Sequence, residues 1–364
     1  MLLLPLYLTF LGGSRATVGV VMASAAFGGL LLRPAVGVSL DRWGRKPTLV
    51  VGTLVMVVAM VGMAMVTSVG PLIIGLRVLF GAGTGALFTG YFTLATDLIP
   101  SSRRTEGIAL FGISGLVPLA VNPLAEQLGV GGADIRWFLA AMGGVLLLSL
   151  VPLALVTESR SYRPAKPLAL REILAELRRP ALWPAWLATL VFATLVVLFM
   201  AFASVTAQAR GIANPASFWW TYALGAIGIR VFGARMPDRL GPRNLVAPAL
   251  GIEIAGVLVL AAAHDSTGFQ LAGLLGGLGH GIGFPVLTSQ VATRVPDSVR
   301  GSAMAMFTGL WDVGFLAAPP ILGLAADRWG DATMLAGSAT VAVAALALWS
   351  VVEHRLGGRP TNAG

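Results

Sequence analysis

A chain of 364 residues that is 56% hydrophobic and only 11% charged, with a mean hydropathy of +0.84, is no ordinary soluble domain, where about 25% of residues carry charge. Zero cysteines exclude disulfides and thiolate chemistry, and three histidines leave little for a multi-histidine metal centre. A net charge of +9 would suit nucleic acid only on a soluble basic face. Here the basic residues sit in short gaps between apolar runs, the pattern of a polytopic membrane protein.

Apolar runs at about 18–40, 48–67, 71–94, 107–128, 136–156, 183–207, 218–236, 245–263, 268–292, 302–325 and 332–352 each approach the roughly 20 residues that cross a bilayer. They predict eleven full spans. The opening MLLLPLYLTFLGG reaches only about half of the hydrocarbon thickness and lacks the basic start and cleavage site of a signal peptide. It reads as the second half of a first helix truncated in this chain, for twelve spans in all. The polar stretch ESRSYRPAKPLALREILAELRRP divides six spans from six, and its LREILAELRR portion has the spacing of a short interfacial helix. The expected organisation is therefore an N-terminal half at 1–157, a linker at 158–182, a C-terminal half at 183–352 and a tail at 353–364.

With the linker in the cytoplasm, 18 of the 25 basic residues fall on that side, 4 on the other and 3 (Arg33, Arg77 and Arg230) inside spans. The excess orients the chain by the positive-inside rule, with both termini cytoplasmic. The two halves also repeat. Arg33, Asp41 and Gly44 recur as Arg230, Asp238 and Gly241 at an offset of 197, and Pro100, Arg104, Phe111 and Pro123 recur as Pro296, Arg300, Phe307 and Pro319 at 196. Two like six-helix halves related by an axis along the membrane normal follow.

The segment from Gly37 through Asp41, Arg42, Gly44, Arg45 and Lys46 resembles the signature loop of the major facilitator superfamily of transporters. Asp238, Arg239, Gly241 and Arg243 form the weaker second copy typical of that family. Arg77-Val-Leu-Phe-Gly81-Ala-Gly83 is similar to the span-four motif of its proton-coupled drug-efflux branch, whereas Asn122-Pro123 departs from that branch's Gly-Pro in span five. The resemblance implies an all-α membrane fold of two pseudo-symmetric six-helix bundles, and alternating access. It also implies a small-molecule substrate and a proton gradient in place of any cofactor. Lipids are the surroundings, a monomer in the plasma membrane is expected, and nucleic acid is not a partner.

Physically, a carboxylate is favourable at a helix N-terminus, so Asp41 is expected to take bonds from the start of span eleven, around Ser298–Ala303. By the repeat, Asp238 should meet span five near Arg103–Gly107. Gly37 allows two backbones to approach, and Arg42, Arg45 and Lys46 supply partners and face anionic lipid. Asp327-Arg328-Trp329-Gly330 repeats the letters of 41–44 after span eleven and reads as a capped helix end.

Ionisable groups inside spans are costly unless they face water or a partner. Arg77 fits a structural tie, or a group that binds an anion or acts on a carboxylate. Arg33 and Arg230, two turns from the latch loops, are cavity candidates that could snorkel to the interface. Asp312 is either structural or a cleft-lining proton carrier, and His280 either a packing histidine or a proton relay. Tyr222 and Trp311 fit packing, an aromatic belt or a cleft face, while Trp183, Trp219 and Trp220 fall where a belt is expected. Glu253, on a span that is peripheral in the family, is expected to be structural or shielded, and Glu126 to be solvated. The glycine runs at 81–85 and 277–283 serve close helix packing, having no phosphate-loop setting.

The resemblance implies proton-coupled efflux, and the mostly apolar spans favour an amphipathic or lipophilic solute over a sugar. The alternatives are a sugar, metabolite or metallophore exporter, a uniporter without coupling, and more remotely an embedded enzyme or a transporter-like sensor.

Overall fold

A computed structural model of the chain describes residues 4–13, 15–116, 132–156, 169–212 and 217–356. Among them are fifteen α-helices and no strand: α1 Leu4–Phe10, α2 Arg15–Arg42, α3 Arg45–Met65, α4 Pro71–Leu98, α5 Arg104–Phe111, α6 Asp134–Leu148, α7 Leu150–Leu155, α8 Leu170–Leu177, α9 Trp183–Ala209, α10 Ser217–Phe232, α11 Met236–Leu240, α12 Val246–Ala262, α13 Ser266–Arg294, α14 Arg300–Trp329 and α15 Asp331–Leu356. Helix is what hydrocarbon demands, because every backbone donor and acceptor is satisfied inside the segment.

Nine stretches of the described residues are long and apolar enough to cross a membrane, against eleven full spans expected. Two expected spans account for the difference. Most of the run at 107–128 lies outside the described residues. The run at 218–236 is interrupted, since α10 stops at Phe232 and the chain turns into the short α11. Within the expected linker, α8 is an amphipathic helix with Ile173 buried. Asn122, Pro123, Glu126 and most of the linker fall outside the described residues.

The helices gather into two compact units. The first holds residues 1–94, 122–173 and 297–312; the second holds 95–121, 174–296 and 313–364. These units do not follow the two halves of the sequence. The start of α14 belongs with α2, and α5 belongs with α10–α13. The core of the first unit is built from Leu4, Tyr7, Leu8, Val21, Met60, Met63, Ile73, Phe80, Ile135 and Leu139. In it α2 and α4 nearly touch: a side chain on Gly28 or Gly81 would collide with the backbone of Val78 or Ala25 respectively.

The second unit is organised on α13. Its glycines lie against α10 and α12: Gly273 and Gly277 face the carbonyls of Phe218 and Tyr222, and Gly256 meets Gly276. This small-residue face lets the three helices pack backbone to backbone. The N-terminus of α13 is closed by Asp265, whose carboxylate accepts from Gly268 N at 2.7 Å, a standard N-cap.

Candidate functional site

In the first unit, α2, α4 and the first three turns of α14 bring one basic and one acidic side chain together. Arg33 Nε donates to Asp312 Oδ2 at 2.6 Å and Nη2 donates to Oδ1 at 3.1 Å. The remaining nitrogen, Nη1, donates to Thr89 Oγ1 at 2.7 Å, Thr308 Oγ1 at 2.9 Å and Gly85 O at 3.2 Å. The fork geometry of the guanidinium suits a carboxylate held at two points. The two side chains are 9% and 16% exposed, so the pair is largely desolvated while Asp312 keeps the greater access. Arg33 therefore does not snorkel: a partner inside the protein offsets its charge where it lies. Thr89 and Thr308, themselves 2.8 Å apart, complete the site without any announcement in the sequence, where two threonines on apolar spans give little signal.

Arg77 is buried on α4 and donates to the carbonyls of Val21 at 3.3 Å and Met22 at 3.4 Å on α2. Its guanidinium also lies 5.0 Å from the Phe80 ring. These contacts tie α4 to α2.

At the end of α2, Asp41 Oδ1 accepts from Gly301 N at 2.7 Å and Oδ2 from Ser302 N at 2.8 Å. Those amides open α14, so the carboxylate satisfies donors that a helix end leaves unpaired. Arg45, fully buried, lies 3.7 Å from Asp41 and donates to Leu40 O at 2.7 Å. Lys46 bonds the carbonyls of Ala154 and Val156, at 2.7 and 3.2 Å. Gly44 has φ 110, the left-handed region that glycine enters without a steric penalty, and it turns the chain sharply between α2 and α3. Gly37 faces Ser302 Cα and Ala305 Cβ, each 2.8 Å from where a Cβ would stand.

The second unit carries the counterpart. Asp238 on α11 accepts from Thr105 N at 3.1 Å and Glu106 N at 2.8 Å, the opening amides of α5. Gly241 has φ 86, matching Gly44. Glu106 adds a salt-bridge cluster that no sequence motif marks: Arg103 reaches it at 2.6 and 2.7 Å and Arg235 at 3.1 Å. The Arg103 hydrogen bonds, chiefly, hold the Glu106 carboxyl down at about 2, with Arg235 adding to the effect. Arg243 pairs with Glu353 at 2.9 Å, and Arg294 joins it at 2.7 Å. Glu106, Leu110, Phe232, Arg235 and Arg239 line a cavity of about 570 Å³.

Also in the second unit, Tyr222 is fully buried and its hydroxyl lies 2.7 Å from His280 Nδ1. Arg230 is likewise buried rather than snorkelling. It donates to Gly281 O at 3.2 Å and His280 O at 3.4 Å and lies 5.7 Å from the Phe284 ring. Carbonyls on α13, exposed by its glycine face, take the place of interfacial water. Trp311 is partly exposed on α14. Asp327–Gly330 ends α14, with Gly330 at φ 82 and its N–H on Ala326 O at 2.8 Å, a helix terminus of the left-handed type.

The family profile described as Major Facilitator Superfamily matches residues 1–319 and again 220–364, the whole chain. The chain belongs to the major facilitator superfamily. Among its relatives is an MFS-type transporter of Salmonella typhimurium, STM4428, named without an assigned substrate. It is 26% identical, with 89% of this chain and 84% of the relative covered. The 3-(3-hydroxy-phenyl)propionate transporter of Escherichia coli K12 is 28% identical, over 91% of this chain and 84% of its own. The crystal structure of the human organic anion transporter MFSD10 superposes with a TM-score of 0.80 at 17% identity, over 91% of this chain and 83% of its own; that likeness concerns the fold alone. This facilitator is thus a multi-pass membrane transporter of a small molecule, and not an enzyme.

Proposed function

We propose that this facilitator is a proton-coupled exporter of a small amphipathic organic molecule, working as a monomer in the plasma membrane with both termini in the cytoplasm. The observation that carries the reading is the two-point pair of Arg33 with Asp312 at 2.6 and 3.1 Å. A solute binds across the ionised pair, its acidic group on the Arg33 guanidinium and a hydroxyl donating to the Asp312 carboxylate. A proton taken up by Asp312 from outside removes that acceptor and releases the solute, and loss of the proton to the cytoplasm readies the site again. The site then holds either a proton or a solute, which is what exchange of an inward proton for an outward solute needs. The caps made by Asp41 and Asp238 act as latches: each helix start is held in one conformational state and let go in the other.

The span-four segment Arg77–Gly83, similar to that of efflux members, supports export, and the 18-to-4 bias in basic residues supports the orientation. A solute with an acidic group and an apolar body agrees with the arginine and with the relative named for 3-(3-hydroxy-phenyl)propionate. Hydroxylated aromatic acids are therefore the first solutes to try, followed by dyes, antibiotics, sugars and metallophores.

The test is flux in proteoliposomes with and without a pH gradient. Export coupled to protons gives solute-driven proton movement in the wild type, and solute movement without proton movement in Asp312→Asn. Solute flux indifferent to the pH gradient in the wild type would reject coupling and leave a uniporter.

A further inference from the structure

Glu253 lies in the middle of α12 and is fully buried. Neither of its carboxyl oxygens has a hydrogen-bond partner among the described residues. Its side chain runs across α13 where Gly279 leaves room, and Cγ occupies the place a Cβ on residue 279 would need. The next residue is His280, bonded to the Tyr222 hydroxyl at 2.7 Å. Tyr222 is within electrostatic reach of both Glu253 and Arg230.

Among the described residues of the helices packed on α12, no cation is paired with the Glu253 carboxyl. Helices α9, α13 and α15 pack on α12. Helix α9, from Trp183 to Ala209, carries no titratable side chain. On α15 such groups are confined to the ends, at Asp331 and at Glu353, His354 and Arg355. Glu353 is engaged by Arg243, from the turn that precedes α12, and by Arg294 at the end of α13. Of the other titratable groups, Tyr222 on α10 is the one within reach of Glu253, and it links in turn to Arg230 on α10 and His280 on α13; Arg210, just after α9, is spent on the carbonyls of Leu260, Ala261 and Ala263 at the far end of α12.

Enclosing an ionised carboxylate without a donor costs far more than enclosing the acid. An ordinary packing residue would serve the fold better, since replacing buried charge by apolar volume is often stabilising. We propose that Glu253 is a buried proton-binding site of the second unit, served by Tyr222, His280 and Arg230 and separate from the Arg33–Asp312 pair of the first. The ligand is a proton rather than a metal cation, because among the described residues no set of metal-ligating side chains converges on the carboxyl. In the enclosed state the proton rides on the carboxyl oxygen. When a change of conformation admits water, the O–H bond breaks, the proton leaves to solvent, and the anion is met by the Tyr222 hydroxyl and the Arg230 guanidinium. The proposal deepens the proton-coupled reading by adding a second proton-holding site.

Infrared spectroscopy of the protein in phosphatidylcholine vesicles, in heavy water at about pH 7, tests it without a transported solute, so a failed flux screen has no bearing on the result. The expected result is an acid carbonyl band in the wild type that persists in Asp312→Asn and is lost in Glu253→Gln. Raising the pH from about 5 to about 10 should convert that band to carboxylate, and Tyr222→Phe should move the midpoint by about one pH unit, the scale of one hydrogen bond. A spectrum unchanged by Glu253→Gln overturns the proposal. So does a band that never titrates in either the wild type or Tyr222→Phe, which would mark a permanently protonated packing group. If Glu253→Gln yields no folded protein, the titration of the wild type against Tyr222→Phe decides between the same two outcomes.

Discussion

Arg33 and Asp312 stand 279 positions apart in the chain and meet at 2.6 Å, both oxygens of the carboxylate held by one edge of the guanidinium, Nε and Nη2. Every donor nitrogen of Arg33 has an acceptor. Replacing only the acid by its amide leaves a buried cation with one amide oxygen, two threonines and a carbonyl for company and no counter-charge. Asp312→Asn should therefore destabilise the protein by about 3–5 kcal/mol, the cost of breaking a buried pair from one side. The double variant Arg33→Met with Asp312→Leu should recover most of that stability and transport nothing. Thermal unfolding in detergent read beside flux checks both; a double variant no more stable than Asp312→Asn would show that the pair is not what the single change disturbs.

The cap of Asp41 on α14 predicts a local opening. Asparagine keeps the shape and loses the charge, and charge-assisted bonds are about twice as strong as neutral ones, so Asp41→Asn should cost about 1–2 kcal/mol at that helix start. The chain has no cysteine, which makes a single Ala305→Cys, at a position 3% exposed, a clean reporter. Its maleimide labelling should quicken by roughly tenfold when Asp41→Asn is added. Ala109→Cys, also 3% exposed, should respond in the same way to Asp238→Asn.

These caps show what the sequence makes legible. A repeat offset of 197 pairs Asp41 with Asp238 and Gly44 with Gly241, and charge at a helix start has a local physical meaning, so both contacts fall in the stretches that the sequence singles out. The spans are legible for the same reason, since twenty apolar residues in a row have few other uses. Partner choice inside the membrane is not legible. That Arg33 reaches α14 while Arg230 stays among carbonyls of α13 depends on which helix face lies opposite, and single residues such as Thr89, Thr308 or Glu106 carry no periodic signal. The shortness of α10 is equally hidden, because an apolar run through Phe232 does not reveal where the helix turns aside.

Gly37 tests whether the cap needs close packing. A Cβ there would lie 2.8 Å from both Ser302 Cα and Ala305 Cβ, and one of those is backbone that cannot rotate away. Gly37→Leu should cost about 1–3 kcal/mol by overpacking and push α14 off the Asp41 carboxylate, so that Ala305→Cys labels faster even with Asp41 intact. Gly75→Leu is the control, since nothing lies within 4 Å of a Cβ at that position. Equal labelling in the two variants would show that the approach of α2 to α14 contributes nothing to the cap.

Glu106 sets the pH dependence of the second cap. Its carboxyl is held at about 2, against an ordinary 4.5, chiefly by hydrogen bonds from Arg103. A carboxyl depressed on folding contributes stability that is complete above the unfolded value and lost as pH falls through the folded one. The contribution is therefore whole above about pH 4.5 and disappears towards about pH 2. The difference in melting temperature between wild type and Glu106→Gln should stay constant from about pH 8 to about pH 5 and shrink only in stronger acid. The cluster then holds its charge across the range in which a transmembrane proton gradient works, which a latch needs if protons are to act on Asp312 instead. A difference that already collapses between about pH 8 and about pH 5 would make Glu106 itself the proton-sensitive element of the latch, and the division of labour between cap and carrier would fail.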